Sequence, residues 1–252
     1  MRGKVYLVGA GPGDPELLTL AAVRALGEAD VVLVDDLVNR AVLAHTRPGT
    51  RIIPVGKRGG ARSTPQAFIE RLMLQEARAG HCVVRLKGGD PFLFGRGGEE
   101  SAHLQAAGIV VTVIAGITSG LAGPMAAGIS VTQRASSPGV ILVTGHEQDG
   151  AAERVNWRAL ADSGLTLVVY MGIAHAGRIQ ERLLGAGLSG RTPVAAVASA
   201  TLAQQRVAVG TLAQLEATVR GNGIESPALL VIGEVARAAR GRIVEVARRV
   251  SA

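Results

Sequence analysis

Short apolar runs alternate along the first half of the chain with stretches in which apolar residues recur three and four positions apart. The runs at residues 4–8, 30–37, 52–55, 82–86 and 108–114 read as buried strands. The stretches at 16–26, from Thr64-Pro65 to about Ala79, and at 99–107 carry the helical period. Strand–helix alternation of this kind predicts a parallel sheet with helices on both faces. The second half has a different texture. Strands are expected at 139–145, 165–172, 193–200, 204–210 and 227–233, with helices at 120–127, from Asn156, at 178–187 and at 211–220. Strands 193–200 and 204–210 lie close enough in sequence to pair antiparallel, which predicts a mixed sheet with helices. The reading is therefore an α/β protein with two domains, 1–115 and 116–252, and a boundary near Ile114 to Ile117.

Composition narrows the class. With 48% hydrophobic and 19% charged residues over 252 positions, the chain can bury a real core. Aromatics are 2%, so that core is built from Val, Leu, Ile and Ala. The single cysteine, Cys82, excludes an internal disulfide and a multi-cysteine zinc site. Met1 leads straight into the first strand, and no apolar segment is long enough to span a bilayer, so a soluble cytoplasmic protein is expected. The net charge of +7 suits an acidic partner: nucleic acid, a membrane surface or a polyanionic small molecule. Readers of single-stranded nucleic acid add aromatic stacking platforms. Three Phe, two Tyr and one Trp, with no basic block interleaved among them, argue against that class.

The chemistry concentrates where strands end. After strand 82–86 come Gly88, Gly89, Asp90 and Pro91, and then Arg96, Glu99 and Glu100 near the next helix. Backbone without Cβ atoms lets the chain turn sharply and a ligand lie against it, and open α/β sheets bind ligands at such strand ends. An ordinary glycine-rich turn is the plain alternative. The loop Gly9-Ala10-Gly11-Pro12-Gly13-Asp14-Pro15 is not a dinucleotide fingerprint, because Pro12 interrupts the glycines and Asp14-Pro15 reads as a helix cap. Strand 30–37 ends in Asp35 and Asp36. The loop 56–66, with Lys57, Arg58 and Arg62, is either a lid over an anionic ligand or a solvated loop. Thr118 and Ser119 can cap a helix, hydrogen-bond a ligand, or both. Met171 closes a strand as core or as site. The five histidines show no metal-ligand spacing, and there is no GxSxG elbow or P-loop lysine. A group transfer that needs mainly positioning remains, such as methyl transfer from a sulfonium cosubstrate.

Taken in order, Gly9 to Pro15 with Leu18-Thr19, Asp35 with Leu37-Val38, Gly56-Lys57-Arg58, Arg85 to Pro91 with Phe94-Gly95-Arg96-Gly97, Gly116 to Ser119, Val143 to His146, Tyr170-Met171-Gly172 and Gly233-Glu234-Val235 resemble the uroporphyrinogen-III C-methyltransferases of the tetrapyrrole methylase family. The short motifs are specific through their joint order, and they cover nearly the whole chain. The resemblance implies a homodimer that binds S-adenosyl-methionine in a cleft between two α/β domains. It implies methylation of two pyrrole carbons, C2 and C7, to give precorrin-2 for sirohaem or cobalamin, with no metal. Carried over by motif, Pro12, Gly88, Gly89, Asp90 and Leu93 would contact the cosubstrate, joined by Thr118, Ser119, Met171, Ala200 and Ala228. Asp35, Arg96, Glu99 and Arg134 would face the tetrapyrrole, with Met171 near the transferred methyl.

The substrate's carboxylates suit arginine forks, so Arg96 and Arg134 are the expected anchors, with Lys57 and Arg58 as secondary ones. Glu99 or Asp35 would take the proton lost from the pyrrole carbon. The chain departs from the family pattern at Val34, Arg62, Ala126 and Gln133, mostly on the tetrapyrrole side. Two alternatives stand beside this reading. One is a methylase of the same fold acting on a later corrinoid precursor or on ribosomal RNA. The other is a non-catalytic ligand-binding relative. The chain length leaves no room for a fused dehydrogenase–ferrochelatase unit, so precorrin-2 is the expected released product.

Overall fold

The computed structural model describes residues 3–56, 64–146 and 155–239. The chain divides into two compact units, Met1–Thr118 and Ser119–Ala252. In the first, the described elements are β1 (Lys4–Gly9), α1 (Leu20–Glu28), β2 (Val31–Val34), β3 (Arg51–Pro54), α2 (Gln66–Arg78), β4 (Cys82–Lys87), α3 (Gly97–Ala106) and β5 (Val110–Ile114). The strands form one sheet in the order β3-β2-β4-β1-β5, every neighbouring pair parallel. Alternate residues feed two cores. Val8, Val32, Val34, Val84 and Leu86 pack under Ala22, Ala25 and Leu26 of α1. Val5, Leu7, Val31, Leu33 and Val83 pack under Ile69 and Met73 of α2 and Leu104 of α3. Burial on both faces is why these strands read as continuous apolar runs.

Two local expectations are corrected. The helix expected at 16–26 is split into a 3-10 turn, Pro15–Leu17, and α1. Asp14 caps the turn by accepting from the Glu16 amide at 2.9 Å, and Thr19 starts a new helix by accepting from the Ala22 amide at 3.1 Å. Two cap residues five positions apart reset the chain direction, and periodicity alone does not register this. The strand expected to reach residue 37 stops at Val34, so Asp35 and Asp36 lie in the turn beyond the sheet.

The second unit holds α4 (Ser119–Ala126), β6 (Val140–Thr144), α5 (Trp157–Asp162), β7 (Thr166–Tyr170), α6 (Ala176–Gly185), β8 (Pro193–Ala198), β9 (Arg206–Thr211), α7 (Leu215–Gly221) and β10 (Ala228–Ile232). Its sheet order is β6-β7-β10-β8-β9. β6 and β7 are parallel, while β10 runs antiparallel to β7 and β8, and β9 antiparallel to β8. One face carries Leu167, Val169, Val194, Ala196 and Leu230 against Ile179 and Leu183 of α6 and Leu215 of α7. The other carries Val168, Val197, Leu229 and Val231 against Ala127, Ile129, Val235 and Ala236. The parallel and mixed sheets expected from the sequence are both present. Among the described residues no helix is long and apolar enough to cross a membrane.

Asp30 ties β2 to its neighbour. Its carboxylate accepts from the Cys82 amide at 2.7 Å and from the Arg47 guanidinium. The amide bond, with smaller help from Arg47, holds the Asp30 carboxyl below the usual carboxylate range. A carboxyl depressed by folding adds stability above its unfolded pKa and loses it as pH falls through the folded value. Asp30→Asn should therefore lower unfolding free energy by about 1–2 kcal/mol near neutral pH. The gap to the unmodified chain should shrink below about pH 4. Urea melts at both pH values check this, and a gap that does not change with pH would contradict it.

Candidate active site

In a parallel sheet all strands end on one edge, so the loops after β1, β2, β4 and β5 gather there. The first unit brings three glycines together at that edge. A Cβ on Gly116 would stand 2.1 Å from the Gly89 carbonyl oxygen, and one on Gly9 would stand 2.5 Å from both that oxygen and the Gly116 Cα. The three backbones touch and leave no room for a side chain at Gly9 or Gly116. The Gly11 amide donates to the Gly89 carbonyl at 3.2 Å, and the Gly89 amide donates back to Gly11 at 2.7 Å. Asp90 locks this junction: its Oδ1 accepts from the Phe92 amide at 2.8 Å and its Oδ2 from the Gly116 amide at 3.1 Å. Pro12, Gly88 and Thr118 lie half-buried on the same edge. Leu93 belongs to the loop that follows, where Phe94 and Arg96 adopt left-handed backbone with φ of 52° and 57°. Non-glycine residues rarely sit there, at a cost of about 1–3 kcal/mol each, and such residues cluster at functional sites.

Asp35 stands at the same edge, beside Arg85 and Lys87, to which the sequence reading assigned no role, and near Glu100, which it placed at the helix start. Arg85 and Lys87, two apart on β4, point to the side covered by α2 and α3. Arg85 Nη2 lies 2.7 Å from Asp35 Oδ1, and Arg85 Nε donates to Glu100 Oε1 at 3.2 Å. Lys87 Nζ lies 3.6 Å from Asp35 Oδ2 and 3.4 Å from Glu100 Oε2. Gln66 Nε2 donates to Glu100 Oε1 at 3.0 Å. Arg85 is 2% exposed, Lys87 5% and Glu100 0%. Two cations and two anions make the cluster formally neutral, which is how such charges persist away from water. Burial, then repulsion from Arg85, lowers the proton affinity of Lys87. One sequence signal pointed here: two cations spaced for the same face inside an apolar strand.

Arg96 and Glu99 meet at the start of α3, with Arg96 Nη2 2.6 Å and Nε 3.2 Å from the carboxylate. Both are exposed. The Arg96 hydrogen bond holds the Glu99 carboxyl below its usual range. Glu99 is thus the poorer proton acceptor for its type, and Arg96 already has a carboxylate in its fork.

In the second unit, Met171, Ala200 and Ala228 come to one sheet edge. Met171 follows the end of β7, Ala228 opens the antiparallel β10, and Ala200 lies just past β8, where the Ser199 amide donates to the Pro227 carbonyl at 2.9 Å. Met171, Ser199 and Thr201 are left-handed, at φ 52°, 48° and 68°. The first turn of α4, opened by Ser119, reaches this edge, because the Gly120 amide donates to the Tyr170 hydroxyl at 2.7 Å. Gln205, absent from the sequence reading, accepts from the Thr201 amide at 2.8 Å and donates to the Ala126 carbonyl at 3.0 Å. Arg134 is separate from this group. It lies exposed in a tight loop closed by Gln133 and Ser137, and Ser137 is tied to Thr166 at the opposite end of β7. Lys57, Arg58 and Arg62 lie outside the described residues. Among the described residues no group of three His, Cys, Asp or Glu is placed to hold a metal.

Residues 4–216 match the family described as Tetrapyrrole (Corrin/Porphyrin) Methylases. The chain is 57% identical to a uroporphyrinogen-III C-methyltransferase of Pseudomonas aeruginosa, over 94% of this chain and 96% of that one. Its fold is similar to the crystal structure of a uroporphyrin-III C-methyltransferase from Thermus thermophilus complexed with S-adenosyl homocysteine, with TM-score 0.79, 43% identity, and 93% and 94% of the two chains covered. It is also similar to a cobalt precorrin-4 methyltransferase, with TM-score 0.82, 29% identity, and 92% and 95% covered.

The glycine junction makes a direct prediction. Gly116→Ala forces a Cβ against backbone and should cost about 1–3 kcal/mol or more. Gly98→Ala, in the first turn of α3 with nothing within 4 Å of the added carbon, should be neutral or stabilise by up to about 1 kcal/mol. Chemical denaturation of both variants checks this, and equal effects would show that the junction tolerates a side chain.

Proposed function

The chain belongs to the tetrapyrrole methylases, and from that premise we infer that it transfers methyl groups from S-adenosyl-methionine to pyrrole carbons of uroporphyrinogen III. The near end-to-end identity with the Pseudomonas aeruginosa enzyme carries the choice of substrate. It is far above the likeness to the precorrin-4 enzyme, so the primary macrocycle is preferred to a later corrinoid.

The electrophile comes with the cosubstrate, and the protein's task is alignment. In this reading the donor lies against the bare backbone of Gly88 and Gly89 and beside Thr118 of the first unit. By the resemblance, Ser119, Met171, Ala200 and Ala228 are further cosubstrate contacts. Asp90 acts chiefly through the loop, because both of its oxygens already accept backbone amides. A pyrrole carbon attacks the methyl, the sulfonium leaves as S-adenosyl-homocysteine, and the proton on the attacked carbon goes to a carboxylate. Asp35 is the better candidate for that role. It stands at the sheet edge beside the glycine loop, whereas Glu99 is exposed and held by Arg96. Arg96 offers a guanidinium fork to a substrate carboxylate and must exchange Glu99 for substrate to do so, while Arg134, anchored at the far end of β7 from Met171, has no part in this reading. The reading includes a cytoplasmic homodimer, and sedimentation of the purified chain tests its assembly.

Incubation with uroporphyrinogen III and isotope-labelled S-adenosyl-methionine, followed by mass analysis, should give a product carrying two added methyls. An unmethylated macrocycle would overturn the assignment. Asp35→Asn should lower kcat by about 10²–10⁴-fold with cosubstrate affinity retained, and Glu99→Gln by much less. Similar losses in the two variants would remove the preference for Asp35.

A further inference from the structure

The charges behind Asp35 are more than a buried ion pair requires. Asp35 Oδ1 is already satisfied by Arg85 at 2.7 Å, yet Lys87 is brought beside Oδ2 at 3.6 Å. Lys87 is held there by Glu100, which is fully buried on α3, and Glu100 is held in turn by Gln66 of α2. Glu100 Oε2 and Arg85 Nη1 have no hydrogen-bond partner among the described residues. Thus α3 brings a charge, and α2 a neutral hydrogen-bond donor, to a strand where well-packed apolar residues often serve stability as well as ion pairs do. An arrangement that stability does not require, and that ends on a single edge carboxylate, suits a role in setting that carboxylate's charge and orientation.

We propose that Lys87 and Glu100 are positioning residues that act through Asp35: Lys87 favours its ionised form, and Glu100 limits how strongly it does so. This rests on the assignment of Asp35 as proton acceptor. The other groups near Asp35 are accounted for among the described residues. Asp36, next in the chain, is exposed. The Asp35 amide donates to the Leu86 carbonyl at 3.2 Å. One turn further along α2 and α3, Glu70 and His103 face each other at 3.9 Å. The direction of the effect follows from charge. Removing the Lys87 cation disfavours a nearby carboxylate, and removing the Glu100 anion leaves two cations to favour it.

The test is the pH dependence of kcat in the full-length enzyme, for Lys87→Met, Lys87→Arg and Glu100→Gln. Lys87→Met should move the acidic limb to higher pH by about one unit, a tenfold change in the ionisation constant. Lys87→Arg should return it most of the way. Glu100→Gln should move it to lower pH. If Lys87→Met does not fold, Lys87→Gln keeps a hydrogen-bond donor in place without the charge, and the same upward shift is expected. A purely structural role would lower stability and kcat together without opposite displacements of the limb. Limbs that coincide with the unmodified enzyme, or that move the same way in Lys87→Met and Glu100→Gln, would overturn the proposal. Failure of the unmodified chain to methylate uroporphyrinogen III would instead overturn the functional assignment, so the two failures are distinguishable.

Discussion

Three strand ends meet in the first unit with nothing but backbone between them. The contact of Gly9, Gly89 and Gly116 fixes how closely the loops after β1, β4 and β5 approach, and Asp90 holds that approach with two amide bonds. A side chain at Gly9 or Gly116 would push the loops apart, and Gly89 takes left-handed backbone at φ 66°. With none, the edge presents amides and carbonyls of a rigid loop system to whatever lies above it. The loop placed after this junction carries Leu93, the left-handed Phe94 and Arg96, and the start of α3. The position of Glu99 and Glu100 is therefore inherited from the glycines as much as from the helix.

Beneath the edge the sheet does something a purely structural sheet avoids. β4 is apolar at Val83, Val84 and Leu86, and charged at Arg85 and Lys87. The charges are tolerated because Asp35 and Glu100 balance them. Their collective neutrality matters more than any single pair distance. The second unit uses a different device for a comparable edge. Met171, Ser199 and Thr201 take left-handed backbone, the Thr201 amide donates to Gln205, and Gln205 braces the Ala200 loop against α4. The first unit combines absent side chains with left-handed Phe94 and Arg96, the second uses left-handed Met171, Ser199 and Thr201, and both hold loops in a set geometry.

The alternating apolar pattern was enough to predict the parallel and mixed sheets, because strands buried on both faces leave uninterrupted Val and Leu runs. It missed the break between Pro15–Leu17 and α1, where short-range capping by Asp14 and Thr19 overrides the helical period. At the site, the glycines and Asp90 stood out in sequence, but the function of Asp90 as a loop lock depends on Gly116, 26 residues away. Arg85 and Lys87 were visible as charges in an apolar run, and Glu100 as one of two acids at a helix start. That they converge on Asp35 follows from strand order and from the face of β4 that α2 and α3 cover, which no local window contains. Arg134 and Met171 could not be told apart by spacing, yet their anchors lie at opposite ends of β7.

The central claim is that the bare-backbone junction is the floor on which the methyl donor rests. A crystal structure with S-adenosyl-homocysteine tests it most directly. The account predicts the ligand in van der Waals contact with Gly88 and Gly89. A ligand bound elsewhere, with those two residues untouched, would contradict it.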